Sequence, residues 1–129
     1  MTAPITAHFA LVILLLIVLL AFNTSRQRIR HRGSKEPAAA EAIRRASRTH
    51  GNNFEHGVVV ILLLLFCELA GAGTGLLITA GTAYLVVRLV YSYGYLTAPA
   101  RRAMFIGASA TYAIEIVLSL RLALLLVGV

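Results

Sequence analysis

Ile5 to Phe22 carries no formal charge apart from a proton that His8 can take up, and its length approaches the roughly 20 residues a helix needs to cross a bilayer. No other feature constrains the chain as strongly. Lipid offers no partner to backbone N–H groups, so such a span must close its hydrogen bonds within itself and is expected to be a helix. From Gly57 to Leu96 the chain stays apolar for too long to be one span, and "GAGTG" at residues 71–75 breaks it into a hairpin of two helices. The link "TAPARR" then opens a last apolar stretch, with Pro99 suited to a first helical turn. The expectation is an all-α membrane protein, a bundle of four transmembrane helices near residues 5–25, 38–70, 75–96 and 100–127, in one domain spanning 1–129. A hydrophobic content of 59% agrees with that class and excludes an ordinary soluble domain. No barrel-type alternation appears. Basic residues follow the first apolar run rather than precede it, which speaks against a cleaved signal peptide.

Charge placement sets the expected orientation. Arg26, Arg28, Arg30, Arg32, Lys35, Arg44, Arg45 and Arg48 lie in the first connection, and Arg101 and Arg102 in the third. Both are expected on the cytoplasmic face, which in a bacterium means the inner membrane. The net charge of +7 is accounted for by that rule and by anionic lipid headgroups, and the loop lacks the interleaved aromatics of an RNA-binding surface. No nucleic-acid partner is expected. The segment "RQRIRHRGSKEP" reads as a helix end followed by a link, after which Pro37 opens a helix that projects well beyond the second span.

Among chemically active residues, Cys67 stands alone in an apolar run and reads as a packing thiol. His50 and His56 are six apart and so fall on different helical faces, which argues against a metal site. The polar groups inside the spans are more informative, because they are costly there. In "RTHGNNFE", Arg48, Asn52 and Glu55 sit at i, i+4 and i+7, within roughly 60° of one another on a helix. Arg88, Tyr91 and Tyr95 form a matching face on the third helix. Arg88 lies about 12 Å from the end of its helix, too far for easy snorkelling, and axial arithmetic puts Glu55 at a similar depth to within about 5 Å. An ion pair between them is expected. Glu68 and Arg121 read as solvated ends, and Glu115 as a deeper carboxylate bonded to Ser119 one turn on.

"RTHGNNFE" together with "RLVYSYGY" resembles the MAPEG family, the membrane-associated proteins of eicosanoid and glutathione metabolism, and the likeness covers nearly the whole chain. The helix-two pattern Arg-x-x-x-Asn-x-x-Glu matches at Arg48, Asn52 and Glu55, and the helix-three pattern Arg-x-x-[Tyr/His]-x-x-x-Tyr at Arg88, Tyr91 and Tyr95. The resemblance implies a homotrimer with glutathione, as co-substrate, cradled between subunits towards the cytosolic side. It implies that the arginines take the carboxylates of the tripeptide, and that Asn52 and Glu55 take its amide and amino groups. Arg26, past the first helix, is a further match. An arginine opening helix four resembles the one that stabilises the glutathione thiolate in the leukotriene and prostaglandin synthases, and Arg101, with Arg102 second, fits that role. Relatives often carry a proline three or four residues after the helix-two glutamate, where this chain has Val58 and Val59.

The reading is a trimeric membrane transferase or peroxidase that offers glutathione thiolate to a hydrophobic electrophile or lipid hydroperoxide arriving through the membrane lipids. The alternative is a non-catalytic lipid-binding protein of the same fold. A small four-helix drug exporter would carry a carboxylate in its first helix, and Ile5 to Phe22 has none.

Overall fold

The computed structural model describes residues 2–97 and 101–128, with Arg101 described by its backbone alone. Four helices follow in order: α1 (Pro4–Arg30), α2 (Pro37–Leu69), α3 (Thr74–Leu96) and α4 (Arg101–Leu126). All four are long and apolar enough to cross a membrane, and no strand occurs among the described residues. The fold is a four-helix membrane bundle. Pro99, expected near the start of the fourth helix, lies outside the described residues. α1 continues past its expected end through the basic segment to Arg30, and the chain leaves it at His31 and turns through Gly33, whose φ of +76° suits a residue without Cβ.

The break between α2 and α3 has a specific chemistry. Gly71 takes φ +87°. Its N–H donates to the Glu68 carbonyl at 3.1 Å and the Ala72 N–H to the Cys67 carbonyl at 2.9 Å. This is a Schellman stop, which answers the orphan carbonyls of the helix end. Gly73 then extends and starts α3.

Apolar residues at alternating three- and four-residue steps carry the core. Ile13 and Ile17 from α1, Val60, Leu64 and Cys67 from α2, Leu77 and Tyr84 from α3, and Leu118 from α4 form one cluster. Such spacing keeps one stripe of each helix facing its neighbours. Gly57 lets α1 close on α2, since a Cβ there would lie 2.9 Å from Ile17 Cδ1. Outside the cluster, Leu11, Leu15, Leu19, Phe66, Leu89, Ile116 and Leu120 are exposed, as a lipid-facing surface requires. α2 touches every other helix, while α1 and α4 do not meet among the described residues. The two helices that bear the sequence motifs are therefore central.

Glu68 corrects an expectation. Instead of ending in solvent, it accepts from the backbone N–H of Ile5 at 3.0 Å and of Thr6 at 2.7 Å. α1 has no side-chain cap of its own. A carboxylate from the neighbouring helix thus meets its unpaired N–H groups and the positive end of its dipole.

Candidate functional site

Arg88 organises the polar interior. It is fully buried, and its side chain spreads over three helices. Nε donates to Asn53 Oδ1 at 3.0 Å, Nη2 to Asn52 Oδ1 at 2.7 Å and Nη1 to Thr111 Oγ1 at 3.3 Å. The guanidinium also lies 4.4 Å from the centre of the Tyr91 ring, within cation–π range. Its partners are fixed in turn. Asn53 Nδ2 donates to the Thr49 carbonyl at 2.8 Å and to Ser92 Oγ at 3.0 Å, and Thr111 Oγ1 donates to the Gly107 carbonyl at 2.8 Å. Buried polar groups are tolerated when satisfied in this way.

The expected Glu55–Arg88 ion pair does not form. Glu55 is exposed, and no carboxylate lies within ion-pair distance of Arg88 among the described residues. Depth along the helix axis brought the two together on paper. Rotation about the axis separates them, because Arg88 turns towards Asn53 and α4. One chain thus buries part of the polar faces of α2 and α3 without help from a neighbour.

On the other side of Asn52 lies a cavity of about 330 Å³. Ser47, Arg48, Gly51, Asn52 and Glu55 of α2 form one wall, and Tyr91 and Tyr95 of α3 the other. The two tyrosine rings stand 5.8 Å apart and tilted. Each polar group has a defined offer. Asn52 gives its oxygen to Arg88, so the two N–H donors of its amide remain for a ligand. Arg48 and Glu55, both exposed, supply a guanidinium and a carboxylate within two helical turns. The structure therefore brings together Arg48, Asn52, Glu55, Tyr91 and Tyr95, while Arg88 stands behind the wall and braces it. Arg26 is exposed on α1 and bonds weakly to Asn23 Oδ1 at 3.5 Å, and Arg102 is exposed on the first turn of α4. Neither lines the cavity. The side chain of Arg101 lies outside the described residues.

The sequence matches the MAPEG family over residues 6–124. The chain belongs to this family. Over 91 residues it is 31% identical to the inner membrane protein YecN of Escherichia coli strain K12, covering 70% of each chain, and it matches YecN of Escherichia coli O6:H1 to the same extent. In this MAPEG chain the two polar faces of α2 and α3 thus converge on one cavity, with the exception of the buried Arg88.

A second polar pair joins α2 to α4, with no direct sign in the periodicity of either helix. His56 Nδ1 lies 2.7 Å from Glu115 Oε1, bridging the two helices, and Tyr112 packs edge-on against the imidazole at 5.2 Å. This replaces the expected bond of Glu115 to Ser119 within its own helix, and it gives His56 a partner that its spacing from His50 did not suggest. Their distance in sequence hid the contact. The available signal was the cost of an isolated carboxylate at that depth, which demands a partner from another helix. Among the described residues no group of three or more His, Cys, Asp or Glu side chains could hold a metal ion.

Proposed function

We infer that the cavity binds glutathione and that the protein is a glutathione-dependent membrane transferase or peroxidase acting on a hydrophobic electrophile or lipid hydroperoxide. The observation that carries this reading is the complement of groups on the two walls. Glutathione presents two carboxylates, an ammonium group and two amides. Arg48 suits a carboxylate through two parallel N–H donors, Glu55 suits the ammonium group, and the Asn52 amide suits a peptide carbonyl. Tyr91 and Tyr95 add apolar faces with hydroxyl tips. Arg88 acts on the ligand through Asn52.

The assembly belongs to the same reading. In a trimer a neighbouring copy closes the open side of the cavity and brings Arg26 towards it. Arg101, with Arg102 second, faces the thiol and holds it as thiolate, the form that attacks. The electrophile arrives through the bilayer, and the basic α1–α2 connection and the start of α4 face the cytoplasm. The inner membrane is the proposed location, as it is for the YecN relatives by name.

A thermal shift tests the reading. At a hundred times its dissociation constant a ligand stabilises the folded protein by about 2.7 kcal/mol, so saturating glutathione should raise the melting temperature. Arg48→Ala should abolish the rise. Absence of any shift in the wild-type chain removes the glutathione reading and favours a lipid-binding protein without turnover.

A further inference from the structure

Two polar rungs cross from α2 to α4. In the first, Asn52 and Thr111 share the guanidinium of Arg88. Four residues further along each helix, His56 meets Glu115 at 2.7 Å. At 1.5 Å per residue the second rung lies about 6 Å further into the apolar span than the first. Neither His56 nor Glu115 lines the Asn52 cavity, and the pair stands one turn beyond its inner end, where the proposed function gives it no task. Ionisable groups at that depth are costly, and where they persist they commonly carry protons.

The pair has the makings of an acid. An ionised carboxylate can only accept, so Nδ1 of His56 carries the proton between them, and Nε2 is left as the second donor of an imidazolium. Glu115 fixes the ring and stabilises its charge. The two side chains keep 14% and 15% of their exposure, enough for a reacting atom to reach and too little for bulk water to surround them. Their exposed neighbours are Val59 on α2 and Tyr112 on α4, which offer apolar and aromatic surface to a molecule arriving from the bilayer.

Displacement at oxygen calls for such a group. A thiolate that attacks the outer oxygen of a hydroperoxide forms an S–O bond as the O–O bond breaks, and the inner oxygen leaves as an alkoxide on the side opposite the sulfur. In the proposed site the thiolate is held from the start of α4, so the alkoxide leaves towards the second rung. Apolar surroundings solvate that anion poorly, and a proton from Nε2 converts it into the alcohol. The sulfenic acid then condenses with a second glutathione thiol to give the disulfide and water. The proton released when the first thiol ionised restores His56.

We propose that His56 is the general acid of this reaction, that Glu115 positions it, and that the substrate is a hydroperoxide. The proposal rests on the glutathione reading and narrows it to reduction of an O–O bond.

Paired rates on the full chain in detergent test it, with glutathione and either cumene hydroperoxide or chlorodinitrobenzene, whose chloride leaves without needing a proton. The wild-type chain should turn over both. His56→Gln, whose amide can still donate to Glu115, should lower kcat for the hydroperoxide about a hundredfold relative to kcat for chlorodinitrobenzene, with the KM for glutathione unchanged. Glu115→Gln should move the same ratio in the same direction and by less. A role confined to joining the helices would move both rates together, so equal losses with the two substrates overturn the proposal, as does a wild-type ratio in His56→Gln. Wild-type turnover of chlorodinitrobenzene without the hydroperoxide also overturns it, and leaves the transferase reading standing. A wild-type chain that turns over neither substrate removes the proposed function, and the general acid with it. Circular dichroism and unfolding temperature check the fold of each variant. Should His56→Gln fail to fold, Glu115→Gln decides, and a wild-type ratio there sinks the idea.

Discussion

A buried arginine with no carboxylate in ion-pair reach among the described residues sets the chemistry at the scale of single residues. Arg88 is neutralised in geometry rather than in charge, through two asparagine oxygens, a threonine hydroxyl and the face of Tyr91. Arg88→Met should therefore cost about 2 to 4 kcal/mol, because it strands the buried acceptors of Asn53 and Thr111, and thermal unfolding in detergent measures the loss. Arg88→Lys should recover little, since one ammonium cannot reproduce the planar fork. Glu55→Gln should cost little by itself, and combined with Arg88→Met it should be additive. A coupling well above about 0.5 kcal/mol would restore the ion pair that the geometry rejects. Coupling should appear between His56 and Glu115 instead, where Glu115→Gln and His56→Leu together should cost less than the sum of the single changes. These outcomes mark how much of the site was legible in the sequence. Arg48, Asn52, Glu55, Tyr91 and Tyr95 were legible because 100° per residue fixes which side chains share a face. Asn53, Thr111 and the His56–Glu115 contact were not, because rotation of one helix against another leaves no trace in a single periodicity.

Between whole helices, glycines and one carboxylate decide where the elements meet. Gly107 brings α4 against α3 so closely that a Cβ there would lie 2.7 Å from Tyr91 Cβ and 2.8 Å from its backbone N. Backbone cannot yield as a flexible side chain does. Gly107→Ala should cost about 1 to 3 kcal/mol through overpacking, despite the gain in helix propensity, and it should weaken glutathione binding because Tyr91 walls the cavity. Gly51, where an added Cβ would meet nothing within 4 Å, is the control: Gly51→Ala should leave stability unchanged or raise it by up to about 1 kcal/mol. Glu68→Gln should cost about 1 kcal/mol by weakening the charge-assisted cap on α1. The spans and the glycine break were evident from apolar length and turn chemistry, and the helix ends agree with them to within one residue except at the end of α1, which runs five residues further, to Arg30. The interhelical cap was invisible, since Glu68 and Thr6 become neighbours only after α1 and α2 pair antiparallel.

For the molecule as a whole, the proposed function requires that the cavity become reactive as well as able to bind, and the start of α4 is where a second cation stands nearest in sequence to the Gly107–Tyr91 contact. Crosslinking in mild detergent should yield three chains, and a strictly monomeric species that still binds glutathione would remove the intersubunit site. Within each chain, the Gly107–Tyr91 contact pins α4 against the cavity wall, and Arg101 begins that helix about 9 Å earlier along its axis. A cysteine-type thiol with a pKa near 8.5 is only a few per cent ionised at neutral pH. Lowering that pKa by about two units takes roughly 2.7 kcal/mol of preferential interaction with the thiolate. A guanidinium in a partly desolvated place supplies this, and the positive end of a helix adds to it. Arg101→Ala should then keep much of the affinity for glutathione, because in the proposed site Arg48, Asn52 and Glu55 take the rest of the ligand. It should lose the ultraviolet absorbance of the bound thiolate and most turnover. Loss of that signal in Arg102→Ala, with Arg101→Ala unaffected, moves the role one residue along the helix. If both variants keep the full thiolate signal, neither arginine activates the thiol, and the transferase reading gives way to lipid binding without chemistry.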